Sequence, residues 1–169
     1  GDSRCVKGSR IAGDSRGWRC TELSTDQRPD APAEKARIEG CGGFVSPSSR
    51  EYGPARVWRG GIGVGAGMAM ARSIGDHAMA DLGVISTPEI VEAPIGDDDE
   101  VIILASDGVW EFISSEEALA VVHRHRDNAT IACEALIAEA TEKWRQVSHS
   151  ATSTGGIGSL RSRQAPDQV

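Results

Sequence analysis

The strongest apolar patterning in the chain is the run Ile102-Ile103-Leu104-Ala105, which stops at Ser106-Asp107-Gly108-Val109-Trp110. A short continuous apolar run of this kind predicts a strand buried on both faces. Asp107 then stands at its C-terminal end, and Gly108 lets the backbone turn at once, so the carboxylate faces out of the sheet. An acid at such a half-buried position needs a cation or hydrogen-bond donors. A hard-metal ligand is the first role the pattern implies.

Upstream, Cys5-Val6-Lys7 and residues 18–23 read as the strands of a hairpin around the turn-forming Gly13-Asp14-Ser15-Arg16-Gly17. Asp30-Ala31-Pro32 opens a short helix, with Pro in the first turn, Glu34 close behind and Gly40 as its stop. Gly42-Gly43-Phe44-Val45 leads into an extended piece. Residues 46–67 are rich in glycine and proline. No buried strand precedes them and the Gly-x-Gly-x-x-Gly spacing is not met, so they read as a surface flap rather than a phosphate loop.

Residues 85–95 read as a strand with Pro at its margins, and Asp97-Asp98-Asp99-Glu100 as an exposed turn lacking the alternation of a calcium loop. Ser114 and Glu117 form a capping box for a helix to about Arg126. A second helix begins near Asn128 and carries Cys133, Leu136, Ile137, Ala140 and Trp144 as a core-packing stripe. The pattern stops near Gln146, which predicts a domain over residues 1–145 and a polar, disordered tail over 146–169.

The length of 169 residues suits one domain, and a hydrophobic fraction of 39% with only 4% aromatics calls for a small aliphatic core. The net charge of −7 is unevenly spread: residues 73–122 hold twelve acids and no lysine or arginine. Such a block repels nucleic acid and membrane phosphates. No run reaches the roughly 18 apolar residues of a membrane span. Cys5, Cys20, Cys41 and Cys133 have no paired spacing, so they read as reduced structural thiols, and the expected location is intracellular, cytoplasmic or nuclear. His77, His123, His125 and His149 show no ligand spacing.

Several segments, in order, carry a resemblance. They are Gly1-Asp2-Ser3-Arg4, Glu34-Lys35-Ala36-Arg37-Ile38, Gly42-Gly43-Phe44-Val45, Met68-Ala69-Met70-Ala71-Arg72-Ser73-Ile74-Gly75-Asp76, Pro88-Glu89-Ile90 and Ala105-Ser106-Asp107-Gly108-Val109-Trp110. Together they closely resemble the C-terminal half of PP2C (PPM)-type metal-dependent protein serine/threonine phosphatases. The resemblance implies an α/β (α+β) fold, here an incomplete four-layer alpha-beta-beta-alpha sandwich. It implies a binuclear Mg²⁺ or Mn²⁺ centre and hydrolysis of phosphoserine and phosphothreonine by metal-activated water. Asp107 matches a core metal ligand, and Asp2 an aspartate of an additional, weaker metal. Glu111 stands where the family usually has a second aspartate of that weaker site. Arg72, Gly75 and Asp76 match a structural element beside the substrate-choosing flap. The implied partners are phosphorylated proteins, and the complete domain is expected to be monomeric.

The family's other core ligands lie in an upstream Asp-Gly-His-Gly-Gly element with a preceding acid, and in a final Asp-Asp-Ile-Thr-like strand. Neither occurs in this sequence. The chain, which opens on Gly1, is therefore expected to start inside a larger domain and to have little or no activity alone. A non-catalytic PP2C-like interaction or regulatory module is the alternative reading, and a nucleotide-binding domain built on the glycine-rich stretch ranks last.

Overall fold

The alternation at the start of the chain folds as two antiparallel strands, β1 (Arg4–Arg10) and β2 (Trp18–Glu22), with Val6 opposite Glu22 and Arg10 opposite Trp18. The turn predicted between them lies largely outside the residues that this computed structural model describes, namely 1–11, 13, 17–49 and 53–153. Helix α1 (Pro32–Gly40) starts on its proline, as that residue's fixed φ and missing N–H favour. Strand β3 (Phe44–Val45) pairs antiparallel with β4 (Val57–Trp58), a strand the loop-like composition of 46–67 conceals. A short turn of helix, α2 (His77–Ala80), follows.

Residues 85–95 do not form the predicted strand. Ile85 makes one isolated bridge to Arg72, after which the segment runs exposed, with Ile90 at 79% and Ile95 at 74% accessibility. Pro88 and Pro94 remove two ladder donors, and a strand without a neighbour has nothing to hold it.

Strand β5 (Asp99–Ala105) lies antiparallel to β1, giving the sheet order β2-β1-β5. Only one of its faces is buried. Val101, Ile103 and Ala105 pack inward, while Ile102 and Leu104 are 46% and 76% exposed. The expectation of burial on both faces therefore fails: among the described residues β5 is an edge strand with one covered side. The acidic run is also more than a turn, because Asp99 and Glu100 already belong to β5. Asp99 accepts hydrogen bonds from Lys7, Ser9 and the Gly96 amide, which hold its carboxyl down at about 2.

Beyond β5 come a helical turn, α3 (Asp107–Trp110), then α4 (Ser115–His123) and α5 (Ala129–Ser153). The predicted capping box is present in full: Ser114 accepts from the Glu117 amide and Glu117 from the Ser114 amide. The inward face of α5 is Ala132, Leu136 and Ala140. Cys133, Ile137 and Trp144, assigned to the core stripe by spacing, point outward instead. The helix also continues to Ser153, past the predicted break near Gln146, because serine, histidine and threonine weaken a helix without stopping it. The rest of the expected tail falls outside the described residues.

Two apolar clusters result. Val6, Ile103, Trp110, Ile113, Leu119, Val122 and Leu136 join the three-stranded sheet to α3, α4 and α5. Ile38, Val45, Val57, Ala71, Leu82 and Val84 join α1 to the β3/β4 hairpin. Gly8 sets the closeness of the first packing: a Cβ there would lie 2.2 Å from a Leu119 methyl and 2.7 Å from Val101. Among the described residues, no helix is long and apolar enough to cross a membrane. All four cysteines are free thiols.

Candidate metal-binding cleft

Asp107 owes its position to two neighbours in sequence and to its own place in the turn. Ser106 is extended and ends the strand, Asp107 is the first residue of α3, and Trp110 locks the turn down. The Trp110 indole is buried and donates to the Ala105 carbonyl at 2.8 Å. Its ring lies under the Arg4 guanidinium, 5.3 Å from the ring centroid. This short turn aims Asp107 and Glu111 outward from the end of β5, and both residues are exposed. Asp107 thus faces out of the sheet as predicted, but not from a half-buried position. Gly108 lies within α3 and takes no left-handed φ, so the turn is helical rather than glycine-driven.

Asp2 reaches the same place from the other side of the ladder. Arg4 pairs with Ala105, so the residues preceding β1 lie beside those following β5. The Gln27 amide donates to the Gly1 carbonyl at 3.0 Å, and the Ala71 amide to Gln27 at 2.8 Å, which tie the start of the chain to two later segments. Asp2, Asp107 and Glu111 consequently line one cleft of about 300 Å³. The three acids named from the sequence, of which the outermost, Asp2 and Glu111, are 109 positions apart (111 − 2), converge on one feature.

Sequence reasoning overlooked the other charged walls of this cleft, Arg4, Asp26 and Arg28. Arg4 is fully committed: it grips Asp26 at 2.7 and 3.0 Å and donates to Glu22 at 3.2 Å and to Ser115 at 3.0 Å. The Asp26 hydrogen bond is the main reason its guanidinium is held even more firmly protonated than usual. An alternating Asp-x-Arg at the head of a strand could have flagged Arg4; nothing local flags Asp26 or Arg28.

The flap supplies most of the remaining wall, through Ser48, Pro54 and Ala55, with Ala69 just beyond it. It is pinned at several points. Arg56 donates to the Gly67 carbonyl at 2.8 Å, and Arg59 makes a two-pronged pair with Asp81 at 2.8 Å and reaches the Ala78 carbonyl at 2.6 Å. Trp58 lies so close to Gly67 that a Cβ there would come within 2.6 Å of its ring.

Behind the flap, Arg72 pairs with Glu34 at 2.6 and 3.0 Å and donates to the Thr87 carbonyl. Arg37 joins the same carboxylate at 2.7 Å and also donates to the carbonyls of Ala71 and Gly83. The hydrogen bonds from Arg72, and then from Arg37, hold the Glu34 carboxyl at about 2 against the opposing effect of burial. Gly75 and Asp76 both adopt positive φ, and Asp76 accepts from Ser73. None of Arg72, Gly75 or Asp76 lines the acidic cleft.

The donors of the cleft fit a hard divalent cation in kind, since all are carboxylate oxygens. They do not fit in number. Among the described residues no three Asp, Glu, His or Cys side chains are grouped closely enough to hold a metal ion. The cleft brings carboxylates to a common wall without closing a cage.

The family model described as "Protein phosphatase 2C" matches residues 1–147. "Probable protein phosphatase 2C 64" of Oryza sativa subsp. japonica is 39% identical over 145 residues, covering 86% of this chain and 33% of that protein. "Probable protein phosphatase 2C 52" of Arabidopsis thaliana is 39% identical over 145 residues, covering 86% and 30%. Among solved structures, serine-threonine phosphatase 2C from Toxoplasma gondii superposes with a TM-score of 0.72 at 25% identity, over 89% of this chain and 48% of that one. A C. elegans sex determining protein shares the fold, with a TM-score of 0.63 at 21% identity, over 85% and 32%. The chain spans about a third of the length of the curated relatives it matches.

Proposed function

Because this chain belongs to the protein phosphatase 2C family, we propose that it forms part of a protein serine/threonine phosphatase and contributes Asp107, Asp2 and Glu111 to its metal centre. The observation that carries this reading is the convergence of those three carboxylates on one cleft at a single end of the β1/β5 ladder, from both of its strands. The family is metal-dependent, and oxygen-only donors favour Mg²⁺ or Mn²⁺. Such ions supply a water of lowered pKa and neutralise phosphate charge during in-line attack.

This chain's own residues would do the following. Asp107 projects from a turn clamped by Trp110, which fixes the backbone from which its carboxylate would reach the centre. Asp2 and Glu111 would hold the weaker ion, Glu111 with a side chain one methylene longer than the aspartate usual there. Ser48, Pro54, Ala55 and Ala69 shape the approach of a phosphorylated protein segment. Further carboxylates, of the kind the family holds in its upstream and final elements, complete the coordination. Four free thiols suit a reducing compartment such as cytoplasm or nucleus.

Titration with Mn²⁺, followed by electron paramagnetic resonance of the free ion, tests the metal role directly. Asp107→Asn is expected to weaken Mn²⁺ binding by about 10-fold or more. Identical curves for the two chains would remove Asp107 from the centre. A wild-type chain that binds no Mn²⁺ at all would mean that these three carboxylates do not hold the ion by themselves.

A further inference from the structure

We infer that Arg28 is a substrate-binding residue of the acidic cleft, contacting the phosphate monoester of a phosphorylated protein; the inference rests on the phosphatase reading above. The cleft wall carries four carboxylates, Asp2, Asp26, Asp107 and Glu111, and two guanidinium groups, Arg4 and Arg28. A dianionic phosphate approaching such a wall is repelled unless positive charge, from a bound cation or a guanidinium, faces it. Arg4 cannot face it, because Asp26, Glu22, Ser115 and the Trp110 ring already engage it.

Arg28 is differently placed. Its side chain is 47% exposed, and its described partner is Asp30, two residues away, at 3.4 Å. An exposed pair of that length contributes little and exchanges readily. The backbone beneath it is nevertheless fixed. The Arg28 amide donates to the Asp26 carbonyl at 2.9 Å, the Ala31 amide donates to the Arg28 carbonyl at 3.1 Å, and Pro29 is fully buried. Asp26 is itself clamped by Arg4, and Gln27 is tied to Gly1 and Ala71. A rigid turn therefore presents an exchangeable guanidinium at the rim of a cleft lined by Asp2, Asp107 and Glu111. Its planar fork matches two phosphate oxygens at once, which a lysine ammonium cannot do.

The test uses the full 169-residue chain and a fluorescent peptide bearing the non-hydrolysable phosphonate analogue of phosphoserine, with its unphosphorylated counterpart as reference. Binding is read by anisotropy in excess Mn²⁺. Arg28→Ala is expected to weaken phosphonate-peptide binding about 10-fold, and Arg28→Lys about 3-fold, since the point charge survives without the fork. Asp30→Ala, which removes the competing carboxylate, is expected to tighten it about 2-fold. The unphosphorylated peptide should respond to none of them.

Equal phosphonate binding by Arg28→Ala and wild type overturns the inference, as does a wild-type chain that does not distinguish the two peptides. The Mn²⁺ titration of Asp107→Asn separates the two claims. Mn²⁺ binding that needs Asp107, with phosphonate binding indifferent to Arg28, sinks this inference and leaves the metal reading standing. Mn²⁺ binding indifferent to Asp107 sinks the metal reading, whatever Arg28 does.

Discussion

Two groups of acidic side chains in this molecule have opposite fates. Glu34 is buried and its carboxylate is gripped by Arg72 and Arg37, whose remaining donors go to the carbonyls of Thr87, Ala71 and Gly83. Asp107 and Glu111 are exposed at the rim of a cleft, and Asp2 is half-buried in its wall. Among the described residues no side chain donates to the Asp2 or Asp107 carboxylate, although arginines line the same cleft. An acid fully satisfied by protein groups stabilises the fold and has no capacity left for a ligand. An acid held in place by its backbone and denied protein donors is available to a cation. Both kinds occur in segments that resemble the same family, and local sequence pattern alone does not show that Glu34 is buried between two arginines.

The sharpest way to break this contrast is to remove the buried carboxylate. Glu34→Ala leaves two guanidinium groups facing each other in a site that was built around an anion. Removing one partner of a buried ion pair costs about 3–5 kcal/mol, a large share of the stability of a domain this size. Urea unfolding at neutral pH measures it. A loss under about 1 kcal/mol, the range of exposed pairs, would place Glu34 in the same class as the cleft acids.

Acid gives a second and gentler probe of the same residue. The Glu34 carboxyl sits at about 2, below its ordinary value of 4.5, mainly through its hydrogen bonds from Arg72. A depressed folded-state value means stability present above the unfolded value and lost as pH falls through the folded one. The Glu34 contribution should therefore be whole above about pH 4.5 and fade toward about pH 2, in total roughly 3 kcal/mol. Unfolding of wild type and Glu34→Gln, compared at pH 7, 5 and 3, isolates it. Asp99, also held at about 2 by Lys7 and Ser9, titrates in both chains and cancels in the difference. A gap between the chains that stays constant with pH would refute the assignment.

The elements legible from the sequence are those that local chemistry sets. The hairpin strands, the proline start of α1 and the Ser114/Glu117 capping box need only neighbours in sequence. What escaped depends on partners far along the chain. β4 is two residues long and exists because Phe44 and Val45 pair with it. The exposed face of β5 follows from the lack of a packed layer over Ile102 and Leu104 among the described residues, which an apolar run cannot reveal. The α5 stripe was drawn slightly off its true face because spacing alone does not say which flank meets α4. The cleft was half legible: three of its four carboxylates, Asp2, Asp107 and Glu111, stand in ordered motifs. Arg4, Asp26 and Arg28 were not found, since their roles come from contacts between the start of β1 and the turn near residue 27.

The smallest expected stability effect is the most telling one. Asp107 begins a short helical turn, where a negative charge gains a little from the amides above it. Its side chain is exposed and has no donor among the described residues, so nothing in the packing depends on it. Asp107→Asn keeps the shape and the polar end while removing the charge. Its unfolding free energy in the absence of metal should therefore lie within about 0.5 kcal/mol of wild type, whereas Glu34→Gln changes stability markedly. Adding Mn²⁺ should then separate the chains. An ion that binds only the folded state raises its stability by an amount that grows with concentration over Kd, so wild type should gain and Asp107→Asn should gain less. A variant that is already unstable without metal would mean that Asp107, like Glu34, serves the fold. Equal gains in both chains would mean that the ion is held elsewhere. Only a neutral substitution that abolishes the metal-dependent gain marks a residue that the fold positions but does not itself need.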